Sequence, residues 1–255
     1  MKKIVIAVTA IALVAAAVAY GQAQPQQNTY SVTALTSPTK SGTKKKPIPI
    51  SLTFNYKVGE VHNERPAVVN QYQIGFDGVK LTQTGLPTCT ATQLNNAQSD
   101  AACPKGSVVG QGTVNNMVGP TSDPTNNPGM CTLALKLYNG VKNHLALWLT
   151  GTCVGTAVHN AIDATYVYKG TLAVLQFTVP GPLLHPIPGI DNSVTNVVSK
   201  INKISVGKGS KKTGYYATYG GCKKHKRLVQ VVFITEANST SPSTSTTAKT
   251  AAKCS

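Results

Sequence analysis

The sequence predicts an all-β protein, an antiparallel β-sandwich with one short helix, stapled by disulfides. Apolar residues recur at every second position, as in "SLTFNYKV" (Leu52, Phe54, Tyr56) and "QYQIGF" (Tyr72, Ile74, Phe76). That period marks half-buried strands. Six cysteines form an even set in a chain whose N-terminus reads as an export signal. At 255 residues and 41% hydrophobic composition, the chain is long enough to bury a core of this kind.

The expected organisation is a signal peptide over residues 1–23, a polar Lys-rich linker over 24–48, and a β-sandwich over 49–255 with two sub-sheets meeting near 180–190. "MKK" supplies the positive start of a signal, Ile4 to Ala19 its apolar stretch, and Ala23 a small residue at the cut. That stretch is shorter than the roughly 20 residues a spanning helix needs. No transmembrane helix is expected after cleavage. The first cysteine is Cys89, too distant for a lipidated N-terminus.

Within 24–48 the one candidate strand runs from Tyr30 to Leu35. Between Cys89 and Cys103, Thr90 and Gln93 have the spacing of a capping box and open a short helix, which a disulfide between the two cysteines would pin to the sheet. Gly110 and Gly112 in "CPKGSVVGQG" suit a bulge.

Register argues the next pairing. In "MCTLALKLYNGVKNHLALWLTGTC", Cys131, Leu133, Leu135 and Leu137 share one phase, and Leu145, Leu147, Leu149 and Cys153 share another. A hairpin centred on Lys142 pairs residues whose numbers sum to 284, so Cys131 meets Cys153. A tight Asn139-Gly140 turn would instead set Cys131 opposite Trp148.

Four prolines from Pro180 to Pro188 predict a stiff, irregular crossing. Residues 194–204 fit either a strand, favoured by their β-branched side chains, or a basic amphipathic helix. Gly207 to Gly214 reads as a hairpin turn. The Ser/Thr-rich tail resembles a stalk in composition, but Cys254 argues for pairing with Cys222 across a last hairpin of "RLVQVVFITEA" and a Lys-bearing edge strand.

Catalytic chemistry finds little support. No G-x-S-x-G elbow or phosphate-binding glycine loop is completed, and zinc-type Cys and His spacings are missing, so no cofactor and no metal are expected. Glu60, His62 and Glu64 alternate and would share a strand face, which makes them a candidate acid/base or metal trio; a solvated loop is the competing reading. Asp123 sits in a loop that offers carbonyls to calcium without the repeated D-x-D pattern. His144 and His185 read as packing residues.

Charge is more informative. Lys and Arg number 24 against 8 Asp and Glu, a net +16. From Lys200 to Arg227 the chain carries Lys200, Lys203, Lys208, Lys211, Lys212, Lys223, Lys224, Lys226 and Arg227 and no acid. Lysines attract as point charges and suit diffuse polyanions. Tyr215, Tyr216 and Tyr219 lie between the clusters as candidate base-stacking groups. Export removes nucleic acid as the usual target and leaves anionic cell-wall polymer, acidic glycan or lipid headgroup. A purely solubilising role for the lysines is the alternative.

"FNYKV", "YQIGFDGV", "LPTC", "ACPKGSVVGQG", "LALWLTG", "LAVLQFTVPGPLLHPIPG" and the final Cys-bounded hairpin resemble, over about residues 50–255, a group of uncharacterised secreted, cysteine-containing β-rich proteins of actinobacteria. The resemblance implies fold and secretion, and no activity. The Lys-rich C-terminal third departs from the group. The expectation is therefore a secreted, non-enzymatic binding module of the cell envelope or extracellular space. An exported hydrolase with an unrecognised site and a purely structural surface domain are the alternatives.

Overall fold

A computed structural model describes residues 26–207, 209, 213–237 and 242–255. The expected signal peptide lies outside them. The strands are β1 (Asn28–Ser37), β2 (Ile48–Pro49), β3 (Ser51–Glu60), β4 (Val69–Asp77), β5 (Val79–Leu81), β6 (Val108–Pro120), β7 (Gly129–Asn139), β8 (His144–Cys153), β9 (Thr156–Lys169), β10 (Leu172–Thr178), β11 (Ile190–Ile201), β12 (Ser205–Val206), β13 (Thr213–Gly214), β14 (Tyr216–Thr218), β15 (Lys226–Thr235) and β16 (Ser245–Lys253). Two short helices accompany them, α1 (Ala91–Ala97) and α2 (Gly181–Leu184).

Eleven strands form one antiparallel sheet in the order β1-β3-β11-β6-β7-β8-β9-β10-β4-β15-β16. The sheet curls so that its first and last strands approach each other. Tyr30 of β1 stacks on Phe233 of β15 with ring centroids 4.3 Å apart, and Ser255 donates its backbone N–H to Thr39 O at 3.0 Å. The all-β, antiparallel, disulfide-stapled expectation holds. The two layers are opposite walls of one barrel-like sheet, and the sub-sheets expected near 180–190 belong to it together.

Part of the expected linker is wall. β1 pairs with β3 along its whole length, from Asn28↔Glu60 to Ser37↔Ser51. Its inward residues include Val32 and Ala34, which lie within the candidate strand expected from Tyr30 to Leu35 and now form part of the wall. β7 and β8 pair as Leu135↔Leu149 and Leu137↔Leu147, the register that sums to 284. Cys131–Cys153, Cys89–Cys103 and Cys222–Cys254 are all bonded. Residues 194–201 belong to the strand β11, and a bulge falls at Val108/Gly110.

The proline-rich crossing is less irregular than expected. Pro180 caps α2 and a proline occupies its first turn, where a missing N–H costs no helical hydrogen bond. Helix α1 carries both halves of the Thr90–Gln93 capping box. It packs on the outside of the barrel, where Leu94 covers Trp148, Ala146 and Ala161. Asn95 donates to Ala161 O at 2.9 Å and accepts from Ala161 N–H at 2.7 Å. Those groups lie where β9 has run past its pairing with β10, so the helix satisfies a bare strand edge.

Candidate functional site

Strand direction divides the barrel into two ends. One end collects the loops that follow β1, β7, β9, β11 and β4 and precede β15, together with the C-terminus. There Lys200, Lys203, Lys223, Lys224 and Lys226 are all exposed. Lys208, Lys211 and Lys212 lie outside the described residues. The tract Lys44–Lys46, assigned to a linker in the sequence, joins the same end. Ser41 bonds the backbone of Ser255 and, through its hydroxyl, Gly220 O at 3.1 Å.

Arg227 stands apart from this group. It is fully buried, and its NH1 donates to Asp77 O and Gly220 O, each at 2.6 Å. Burial pulls its pKa down and the nearby Asp77 carboxylate pushes back, but a guanidinium in such a site stays charged. It is an internal clamp and presents no cation to solvent. Gly78 lies beside it with φ +62°, and a Cβ there would stand 2.1 Å from Gly220 O, so only glycine lets these loops meet.

Of the tyrosines between the clusters, Tyr219 is half-buried and the other two are internal. Tyr215 and Tyr216 are buried, and their hydroxyls have no partner among the described residues. They form no exposed stacking platform. Burial pushes the Tyr216 phenol well above its ordinary range.

The opposite end holds five of the eight acids: Glu60, Glu64, Asp123, Asp191 and Glu236. Most are tied to the fold. The buried Glu60 carboxylate accepts backbone N–H bonds from His62, Gln27 (3.3 Å) and Glu64 (3.4 Å), and meets His62 Nδ1 at 3.2 Å. Burial alone would raise its pKa, but these donors outweigh it and hold the group below its ordinary value. Glu60 thus braces the turn after β3. Among the described residues no group of three His, Cys, Asp or Glu side chains could hold a metal.

Asp123 accepts from the Thr125 hydroxyl at 2.6 Å and its N–H at 3.0 Å, closing its own turn. Buried Arg65 spans this end, donating to Pro120 O at 2.6 Å and to Asn127 Oδ1 at 3.3 Å, with Asp191 Oδ2 at 3.5 Å. Gly119 has to be glycine beside it, because a Cβ would fall 2.4 Å from Arg65 NH1 and 2.1 Å from Asn126 O. His185 bridges Asp191 Oδ1 (3.1 Å) and Glu236 Oε2 (2.7 Å). The sequence read it as packing, whereas it ties the segment after α2 to β15 and β11. His144 likewise meets the Asp163 carboxylate at 2.8 Å.

Between the two ends lies a second feature that the sequence did not disclose. The inward rows of eight strands surround a cavity of about 110 Å³. Leu133, Leu135 and Leu137 of β7 and Leu145, Leu147 and Leu149 of β8 line one wall; Phe54, Tyr56, Tyr72 and Phe76 line the other. No charged side chain is among the lining residues. At about 24 cal/mol per Å³, leaving 110 Å³ empty costs roughly 2.6 kcal/mol.

Three disulfides are the pattern of a chain that folds in an oxidising compartment. Among the described residues no helix is long and apolar enough to cross a membrane. Compared with family models, curated proteins and solved structures, the chain matches none.

Proposed function

We propose that this protein is a secreted, non-enzymatic module of the cell envelope or extracellular space that binds an anionic polymer through the lysine-bearing end of its barrel. The observation that carries this reading is charge segregation. Exposed lysines crowd one end, while most acids gather at the other and are occupied by turns, Arg65 and His185. Unpaired ammonium groups on one surface attract a polyanion along its length, without demanding a particular repeat. Anionic wall polymers and acidic glycans are the partners of that chemistry available to an exported protein.

Such binding is electrostatic and weakens as salt rises, because the screening length falls from about 10 Å at 0.1 M to about 3 Å at 1 M. The test is co-sedimentation of the oxidised protein with isolated bacterial envelope and with purified teichoic acid across a salt series. The expected result is retention at low salt that disappears when Lys200, Lys203, Lys223, Lys224 and Lys226 are all changed to Gln. Retention equal in wild type and variant, or none at low salt, refutes the reading and leaves the lysines a solubilising surface.

A further inference from the structure

We infer that the anionic polymer is gripped at one place on the lysine-bearing end, by the turns Thr43–Lys46 and Lys223–Lys226 acting together, and that His225 makes this grip tighten in mild acid. The inference rests on the polyanion reading above and assigns the locus and regulation of that site. Its first support is conformational. Lys223 and Lys226 exchange two backbone hydrogen bonds of 3.0 Å, so Lys224 and His225 are the central residues of a tight hairpin turn. Their φ angles are +50° and +60°, a left-handed pair that such turns ordinarily fill with Asn-Gly. A residue with a long side chain is strained there, and strained positions cluster at functional sites. Both side chains are exposed, so packing does not account for the choice of residue.

Second, the two turns belong to one unit. Thr43 and Lys46 exchange backbone hydrogen bonds at 3.0 and 3.1 Å, which places Lys44 and Lys45 at a second tip. Ser255 donates to Thr39 O and accepts from the Ser41 N–H, while Cys254 donates to His225 O at 3.0 Å and is bonded to Cys222. Both loops also meet on Arg227. Cations held in a fixed relation lose less freedom on binding than cations on separate mobile loops.

Third, the charges of this unit are free to act. Lys44–Lys46, Lys223, Lys224 and Lys226 are exposed, and among the described residues none of them is in an ion pair. His225 has Lys223, Lys224 and Lys226 on its own turn. Lys253 pairs with Lys226 in the β15–β16 register, and the C-terminal carboxylate of Ser255 is the anion carried by the same unit. The nearby Asp77 carboxylate is taken by the Thr171 hydroxyl at 2.6 Å. Histidine changes charge between pH 5 and 8. Its protonation adds a cation at the tip, so polymer binding and proton uptake favour each other.

The test measures affinity of the oxidised protein for teichoic acid stripped of its alanyl esters, at pH 5.5 and 7.5 and one low ionic strength. Wild type should bind roughly three- to tenfold tighter at pH 5.5, and His225→Gln should bind alike at both. Lys224→Asn with His225→Gly, the ordinary turn pair, should unfold roughly 2–4 °C higher yet bind roughly tenfold more weakly at pH 5.5. Lys105→Gln with Lys142→Gln, exposed lysines of the same end outside the two turns, should change affinity less than about twofold. No binding by wild type at either pH refutes the polyanion reading and this inference with it. Binding whose pH dependence survives His225→Gln, that the Asn-Gly turn leaves intact, or that the Lys105 and Lys142 pair weakens as much overturns this inference alone, and leaves the polymer held by lysines spread over the whole end.

Discussion

Arg227 reaches the hydroxyl of Ser41 with its NH2 group at 2.8 Å, across 186 positions of sequence. The loop after β1, the loop before β15 and the turn after β4 therefore meet on one buried guanidinium. Replacing it with Ala would take the guanidinium donor from both Asp77 O and Gly220 O and leave Gly220 O the Ser41 hydroxyl. The expected loss is about 3 kcal/mol or more in urea unfolding, and Arg227→Lys should recover only part of it, since an ammonium lacks the planar fork. A loss under about 1 kcal/mol would mean that these loops find other partners.

Acid should act through Glu60. Its folded pKa lies below the unfolded value of about 4.3, so its stabilisation is fully present above that value. It is lost as pH falls through the folded pKa. Glu60→Gln should cost about 1 kcal/mol at pH 7, and the gap from wild type should close as pH falls below 4. A gap that stays constant from pH 7 to pH 3 would show that the carboxylate charge contributes nothing.

The Cys222–Cys254 bridge closes 32 residues of sequence, and the chain-entropy relation assigns such a loop about 3.7 kcal/mol. Changing both cysteines to Ser should lower unfolding stability by about that amount. The first protease cuts should fall in β16, which pairs on one side with β15 and whose end is fastened by this bond. Unchanged stability and an intact β16 under limited proteolysis would contradict this.

Trp148 is the chain's single tryptophan, and it is buried on the outer face of the wall under Leu94. Leu94→Ala should cost about 2 to 4 kcal/mol and shift tryptophan emission to the red as α1 loosens. An unshifted spectrum would show that the disulfide and Asn95 hold the helix without Leu94.

Local rules made much of this fold legible. The alternation of apolar residues, the 284 register and the Thr90–Gln93 box are each decided within a few residues or one hairpin. What escaped was set by long-range geometry. Alternation tells which face of β7 points inward, but not how far away the opposite wall stands, so a cavity and a filled core look alike in sequence. The strand at Tyr30 to Leu35 was legible, but its place at the closing edge of the sheet against β16 was not. Arg227 resembled a surface cation because its acceptors are supplied by distant loops. Tyr215 and Tyr216 were misread for the same reason: flanking lysines suggested solvent, and β14 lies inside the rim formed with β2 and β5.

The division of charge between the barrel's ends has a mechanical consequence. A molecule whose positive centre is displaced from its centre of mass experiences a torque as well as an attraction near any negatively charged layer. It turns before it lands. The lysine-bearing end would face the layer, and α2, with the His185 bridge beside it, would face the medium. A crowded layer of such molecules would stand as upright cylinders, showing its surroundings a uniform face unlike the one that holds it down.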